Sequence, residues 1–172
     1  MNDTRIRPGD IVLALALTAL GVVLMLGNIS GEDGTRVDTT SWVIVPVFAA
    51  TTLPILFRRR GMIAVLGVSL AAMAVHDVAF GWMVRCGAGL PLSFAMAYGV
   101  GRLLRGRDTW VGAAMVAGLQ ALVLVRDSAA GLEIIPVTLV IAAACWGAGA
   151  LLQRRSERAE APSYDDRVAT TV

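Results

Sequence analysis

Six apolar runs, separated by short segments that contain arginines, restrict the fold of this chain more than any other feature. They cover residues 11–29, 41–57, 61–84, 88–104, 109–125 and 134–152. At 1.5 Å per residue, a helix of about 17 to 19 residues is roughly 26 to 28 Å long, close to the thickness of a membrane's hydrocarbon core. Lipid offers the backbone no hydrogen-bond partner, and the runs lack the alternation of barrel strands, so we predict six helices.

The composition excludes a soluble globular domain. Of the 172 residues, 56% are hydrophobic and 16% are charged, and the mean hydropathy is +0.70. A soluble domain of this size could not remove so much apolar surface from water, because much of any small domain's surface stays exposed. We therefore expect the chain to contact membrane lipids along most of its length.

The positions of the arginines predict the orientation of the helices. All 15 basic residues are arginine. Twelve of them precede the first run or follow the second, fourth and sixth, whereas only Arg36, Arg85 and Arg126 lie in the other connections. Because positive charges are retained on the cytoplasmic side, both termini are predicted to be cytoplasmic in a bacterial plasma membrane.

The predicted fold is an all-α, polytopic integral membrane protein with six transmembrane helices. Residues 1–152 form the transmembrane domain, and residues 153–172 form a cytoplasmic tail that we expect to be disordered. Pro162 ends any helix that leaves the membrane, and the tail has no apolar residues at heptad spacing. Small residues four apart predict close helix packing in lipid at positions 95 and 99, 97 and 101, 114 and 118, and 143 and 147.

His76 and Asp77 are the first candidates for a binding site, because ionisable groups within a span are costly. Their position near the outer end of the third run allows two interpretations: an interfacial or structural hydrogen-bonded pair, or a ligand-binding or pH-sensing site. With Trp82 and Arg126 they form the candidate ligand contacts. The chain has a single histidine, so no metal site is predicted.

The other charged and reactive residues receive simpler interpretations. Arg126, Asp127 and Glu133 are expected in a solvated surface cluster, and as an alternative Arg85 and Arg126 on the same face could hold an anion. Cys86 and Cys145 are too far apart along the membrane normal to form a disulfide. Arginines on the cytoplasmic side are predicted to anchor anionic lipid headgroups, namely Arg58, Arg59, Arg60, Arg102, Arg105 and Arg107.

Four segments carry a resemblance to a known family. They are RPGDIVLALAL at 7–17, LPILFRRRGMIAVLGV at 53–68, AMAYGVGRLLRGR at 95–107 and GALLQRRSERAE at 149–160. Together they resemble the N-terminal membrane sensor region of actinobacterial two-component histidine kinases of the nitrate-sensor type. The resemblance implies a sensor domain that signals through its last helix.

The sequence lacks the kinase features of that family, so we expect no enzymatic activity and no cofactor. There is no phosphoacceptor histidine after the last span and no ATP-binding domain. The implied partners are a second copy of the chain or a complete histidine kinase, and no nucleic acid. Two alternatives stay open: a six-helix substrate-binding subunit of a vitamin or small-molecule transporter, and an assembly protein without a ligand. Copurification would distinguish the three.

Overall fold

The computed structural model describes residues 6–31 and 36–160, and these residues form a bundle of six α-helices. Pro162 and residues 161–172 of the predicted tail lie outside the described residues. Among the described residues the only strand-like pairing is one isolated bridge, between Met83 and Asp127. The all-α prediction is confirmed. The helices are α1 (Pro8–Ser30), α2 (Ile44–Thr52), α3 (Met62–Phe80), α4 (Cys86–Leu103), α5 (Arg107–Val125) and α6 (Ile135–Glu160).

The helices run alternately up and down. A 3₁₀ segment, Leu53–Phe57, extends α2, and a shorter one, Leu132–Ile134, leads into α6. We call the end of the bundle where α1 begins and α6 finishes the basic end, because the arginine clusters lie there. The other end, where α3 ends and α4 begins, is the far end.

Several of these helices are suited to a membrane. Four segments are long and apolar enough to cross one: α1, α3, α5 and Leu132–Ala159, which contains most of α6. The α2 helix and its 3₁₀ extension form a shorter apolar segment, Ile44–Phe57. The α4 helix is long enough but less apolar. A membrane-embedded helical protein is therefore indicated, and the full count of six spans stays a prediction.

Packing explains why α4 differs in composition. It contacts α1, α3, α5 and α6, so it lies at the centre of the bundle and has little contact with lipid. Its buried positions include small residues such as Ala97, Gly99 and Gly101. A central helix needs close approach to its neighbours more than it needs a long apolar surface.

The third and sixth helices end at different residues from the predicted ones. The third helix ends at Phe80 instead of Val84, because Gly81 adopts a positive φ of 65° and reverses the chain. A side chain at Gly81 would also collide with Asp38. The sixth helix continues eight residues past Leu152 to Glu160, so the first part of the tail is helical, which corrects the prediction of a tail disordered from residue 153.

Candidate functional site

A cluster of ionisable residues, all buried except Arg126, joins the end of α3 to the connections that follow α3 and α5 at the far end. We call His76, Asp77, Arg85, Arg126 and Asp127 the far-end cluster. Arg85 is completely buried, as is His76, and Asp77 and Asp127 are nearly so. Arg85 is buried because the turn after α3 folds its side chain back into the bundle.

The guanidinium of Arg85 has a partner for each nitrogen. Its Nε donates to His76 Nδ1 at 3.1 Å, Nη1 to the Arg126 carbonyl at 2.9 Å and Nη2 to the Gly81 carbonyl at 2.5 Å. Asp77 Oδ1 lies 3.2 Å from Nη1, an ion-pair distance. Burial lowers the pKa of Arg85, and Asp77 and Asp127 act in the opposite direction. An arginine stays charged in proteins, so Arg85 places a buried positive charge here.

Asp127 fixes the start of α4. Its Oδ2 accepts the backbone N–H groups of Arg85 and Cys86, both at 2.6 Å. Its Oδ1 accepts the N–H groups of Ala129 and Ala130, both at 2.9 Å. A carboxylate at a helix N-terminus satisfies donors that have no partner within the helix. Asp127 therefore ties the first turn of α4 to the connection between α5 and α6, and the expected solvated surface position is corrected.

His76 is neutral in this arrangement. Arg85 donates to Nδ1, so that nitrogen must be an acceptor, and the ring proton is assigned to Nε2. The rings of Phe48 and Phe80 face His76 edge-on, with centroids 5.4 and 5.0 Å away. Within the described residues, His76 Nε2 and both carboxylate oxygens of Asp77 are buried without a hydrogen-bond partner, although the Ile44 backbone comes near the imidazole.

The candidate ligand residues do not all converge. The cluster includes His76, Asp77 and Arg126, whose Nη1 donates to the Asp77 carbonyl at 3.1 Å. His76 does not hydrogen-bond to Asp77, so the predicted pair is replaced by a pairing of each residue with Arg85. Trp82 lies apart from them, where the guanidinium of Arg36 sits 5.3 Å from its ring centroid.

The connection before α2 covers the turn that contains Trp82. The Trp82 N–H donates to Asp38 Oδ2 at 3.0 Å, and the Asp38 N–H donates to the Trp82 carbonyl at 2.9 Å. Arg36 Nε donates to Asp38 Oδ1 at 3.0 Å. The Trp82 backbone N–H, and then Arg36, hold the pKa of Asp38 below its ordinary value. The ion pair between Arg36 and Asp38 is therefore a second charge contact at the far end, and it is exposed.

Asn28 was overlooked in the sequence, and it links α1 to the same turn. Its Nδ2 donates to the Val84 carbonyl at 2.8 Å, and its Oδ1 accepts the Val84 N–H at 3.0 Å. The side chain is 5% exposed. The sequence feature that could have indicated this role is an amide side chain in the last turn of an apolar run. A buried backbone segment needs both a donor and an acceptor, and an amide side chain supplies both.

At the basic end, the predicted lipid-anchoring arginines fall into groups. Arg58 and Arg59 both bind Asp10, which is 1% exposed, through nitrogens 2.8 and 2.7 Å from its carboxylate oxygens. Arg60 lies over the Phe57 ring. Arg102 donates to the Tyr98 hydroxyl at 2.7 Å, Arg105 pairs with Glu157, and Arg107 is exposed. Several of these groups surround a cavity of about 650 Å³.

Comparison with protein-family models, with curated proteins and with solved structures finds no significant match to this chain. The resemblance to the membrane region of sensor kinases therefore stays a prediction from the sequence. Cys86 and Cys145 are both free thiols, in agreement with the expectation that they are not bonded to each other.

Proposed function

We propose that this chain is a non-enzymatic membrane sensor module of six transmembrane helices that signals to a partner protein through α6. The proposal takes the basic end as cytoplasmic, from the arginine count, and so has both termini in the cytoplasm of a bacterial cell. The far-end cluster would receive the stimulus on the outer side. The helical extension of α6 past Leu152 would deliver the response inside.

One observation carries the proposal: the far-end cluster is connected to α6 through α4. Asp127 holds the first turn of α4 by two short hydrogen bonds. Further along, α4 touches α6 at backbone level, because a side chain at Gly101 would collide with the Trp146 carbonyl and one at Gly149 with the Tyr98 carbonyl. Helices in backbone contact cannot shift independently, so a movement of α4 would displace α6.

The cluster also has the capacity to respond. Buried polar groups are nearly always hydrogen-bonded, yet His76 Nε2 and the Asp77 carboxylate have no such partner within the described residues. An incoming proton would neutralise the Asp77 carboxylate, and a small polar ligand would donate to that carboxylate and accept from the His76 Nε2–H. It would also change the balance of charge around Arg85, which contacts both residues.

Site-specific photocrosslinking in the native host tests the proposal. A photoreactive amino acid replaces Ser156, which is exposed on the extension of α6, and a control carries it at Trp42, which is 69% exposed at the far end. We expect position 156, and not position 42, to capture a protein with a histidine kinase domain. Capture of a transporter's ATPase, or of no protein, would contradict the sensor function.

A pair of variants tests the connection through α4. Asp127→Asn removes acceptors from the start of α4, and Asp108→Asn changes an exposed aspartate in the first turn of α5. Asp127→Asn should alter the crosslinking yield at position 156 in protein that still elutes as a single species, while Asp108→Asn should not. Equal yields from the two variants would contradict the proposed route.

A further inference from the structure

The cavity at the basic end is built for an anion. We call it the basic cavity. Six arginines and one carboxylate, Glu157, line it, and they belong to four separate parts of the chain. Arg58 and Arg59 already bind Asp10, and Arg105 already pairs with Glu157, so positive charge remains in excess. Phosphate groups are the usual partners of such arginine clusters, because the guanidinium fork matches their oxygens.

A second, apolar space opens between α5 and α6, which we call the crevice. It has a volume of about 260 Å³. Small side chains leave this gap, among them Ala113 and Ala117 on α5 and Ala143 on α6, and Trp146 forms part of its wall. Apart from Thr109, its lining is made of hydrophobic side chains. Such a surface suits a hydrocarbon chain and not a polar ligand.

The crevice and the basic cavity each border a third cavity. This third cavity, of about 230 Å³, shares Thr109 and Trp146 with the crevice, and Arg105 and Glu157 with the basic cavity. Trp146 lines this third cavity, and its indole N–H is a buried donor without a partner among the described residues. A ligand along this path would meet apolar walls, then Trp146, then arginines.

We infer that these spaces together form a binding site for an anionic phospholipid. An acyl chain would lie in the crevice, the ester region would pass Trp146, and the phosphate would lie among the arginines beside Arg105. This order of groups is that of a phospholipid from tail to head. The inference depends on the chain lying in a membrane and is independent of the proposed sensor role, since its test involves no partner protein.

Lipid retention by the purified full-length chain tests the site. The protein is reconstituted in vesicles of equal parts phosphatidylglycerol and phosphatidylcholine, extracted in mild detergent, and its bound lipid is counted by native mass spectrometry. We expect phosphatidylglycerol to be retained over phosphatidylcholine. Equal retention of both lipids would overturn the proposal, because the arginines would then not select the headgroup.

Two matched pairs of variants locate the lipid. Ala143→Phe fills the crevice, and its control Ala144→Phe enlarges an exposed neighbour that does not line it. Arg105→Gln removes a charge from the site, and its control Arg158→Gln removes an exposed charge on α6 outside it. Arg105→Gln should weaken phosphatidylglycerol binding about five-fold, the equivalent of about 1 kcal/mol per charge.

Each remaining outcome has a defined meaning. Weaker retention with Ala143→Phe and Arg105→Gln, and unchanged retention with both controls, supports the site. If Ala143→Phe has no effect and inorganic phosphate displaces the bound lipid from the native chain, the site recognises phosphate without an acyl chain, and the proposal fails. Size-exclusion profiles identify misfolded variants, and for these Ala117→Phe on α5 takes the place of Ala143→Phe.

Discussion

At the scale of single residues, Arg85 shows how a charge is held where no water reaches it. Three hydrogen bonds and an ion pair surround its guanidinium. Removing one partner of a buried charge is expensive, because the remaining group loses both water and its replacement. The far-end cluster should therefore tolerate changes that preserve an acceptor and resist those that remove one.

Replacement of His76 tests this expectation. His76→Ala leaves Arg85 Nε without an acceptor and should lower the stability of the purified protein by about 1 to 3 kcal/mol. His76→Asn keeps an acceptor oxygen near the position of Nδ1, so its unfolding temperature in detergent should lie between those of the alanine variant and the native chain. Equal losses in the two variants would show that the hydrogen bond to Arg85 contributes nothing.

Asp38 gives a prediction for pH. The pKa of its carboxyl is lowered in the folded chain from an ordinary value of 3.8. Contacts that lower the pKa of an acid stabilise the folded form above its unfolded pKa, and this stabilisation is lost as pH falls through the folded pKa. Fluorescence of Trp82, in a chain that retains it as the only tryptophan, should therefore change below about pH 3.8. Asp38→Asn should abolish the change, and a transition that persists in this variant would contradict the assignment.

The sequence could nominate His76, Asp77 and Arg126, but it could not give the roles of Arg85 and Asp127. Ionisable residues in an apolar run are candidates for function because burying a charged side chain is costly. Arg85 and Asp127 lie in connections, where charged residues are normally solvated, and their burial depends on how two distant turns meet. The complementary charges of the two turns were the available signal, but sequence alone did not show that they are in contact.

At the scale of elements, the contact between α4 and α6 depends on glycine. Spacing of small residues correctly selected Gly101, which lies against the backbone of Trp146. On α6 it selected Gly147, which has nothing within 4 Å, whereas the packed residue is Gly149. Residues 147–150 are all glycine or alanine, so their spacing could not identify which face of α6 meets α4.

Gly149→Ala and Gly147→Ala form a matched pair on one helix. A methyl group at 149 would meet the Tyr98 carbonyl, whereas a methyl group at 147 would enter open space. We expect Gly149→Ala to cost about 1 to 3 kcal/mol through overpacking. Gly147→Ala should be neutral or slightly stabilising, because alanine is the better helix former. Equal thermal stability of the two variants in detergent would contradict the backbone contact.

The start of α1 carries chemical signals that the apolar runs did not use, and the helix begins three residues before the predicted run. Pro8 at the first position and Asp10 in the first turn of α1 are such signals. The end of α3 was set instead by Gly81 and its contact with Asp38, a residue 43 positions earlier in the chain. Hydropathy continued to Val84 because the turn itself is apolar, so a tertiary contact decided the boundary.

At the scale of the whole molecule, the positions of the arginines and the arrangement of the helices group the same connections at each end of the bundle. The connections that contain arginine clusters meet at the basic end, where Arg58 and Arg59 bind Asp10 of α1 and Arg105 pairs with Glu157 of α6. The far end carries Arg36, Arg85 and Arg126. If all six helices cross the membrane, this alternation places both termini on one side, and the arginine count assigns that side to the cytoplasm.

Cysteine accessibility in intact cells tests this topology most directly. Cys86 and Cys145 are replaced by alanine, and single cysteines are introduced at Ser41, at the far end, and at Arg107 and Ser156, at the basic end, all of which are exposed. A membrane-impermeant maleimide should label position 41 in intact cells, and positions 107 and 156 only after permeabilisation. Labelling of position 107 or 156 in intact cells would contradict six spans with a cytoplasmic basic end.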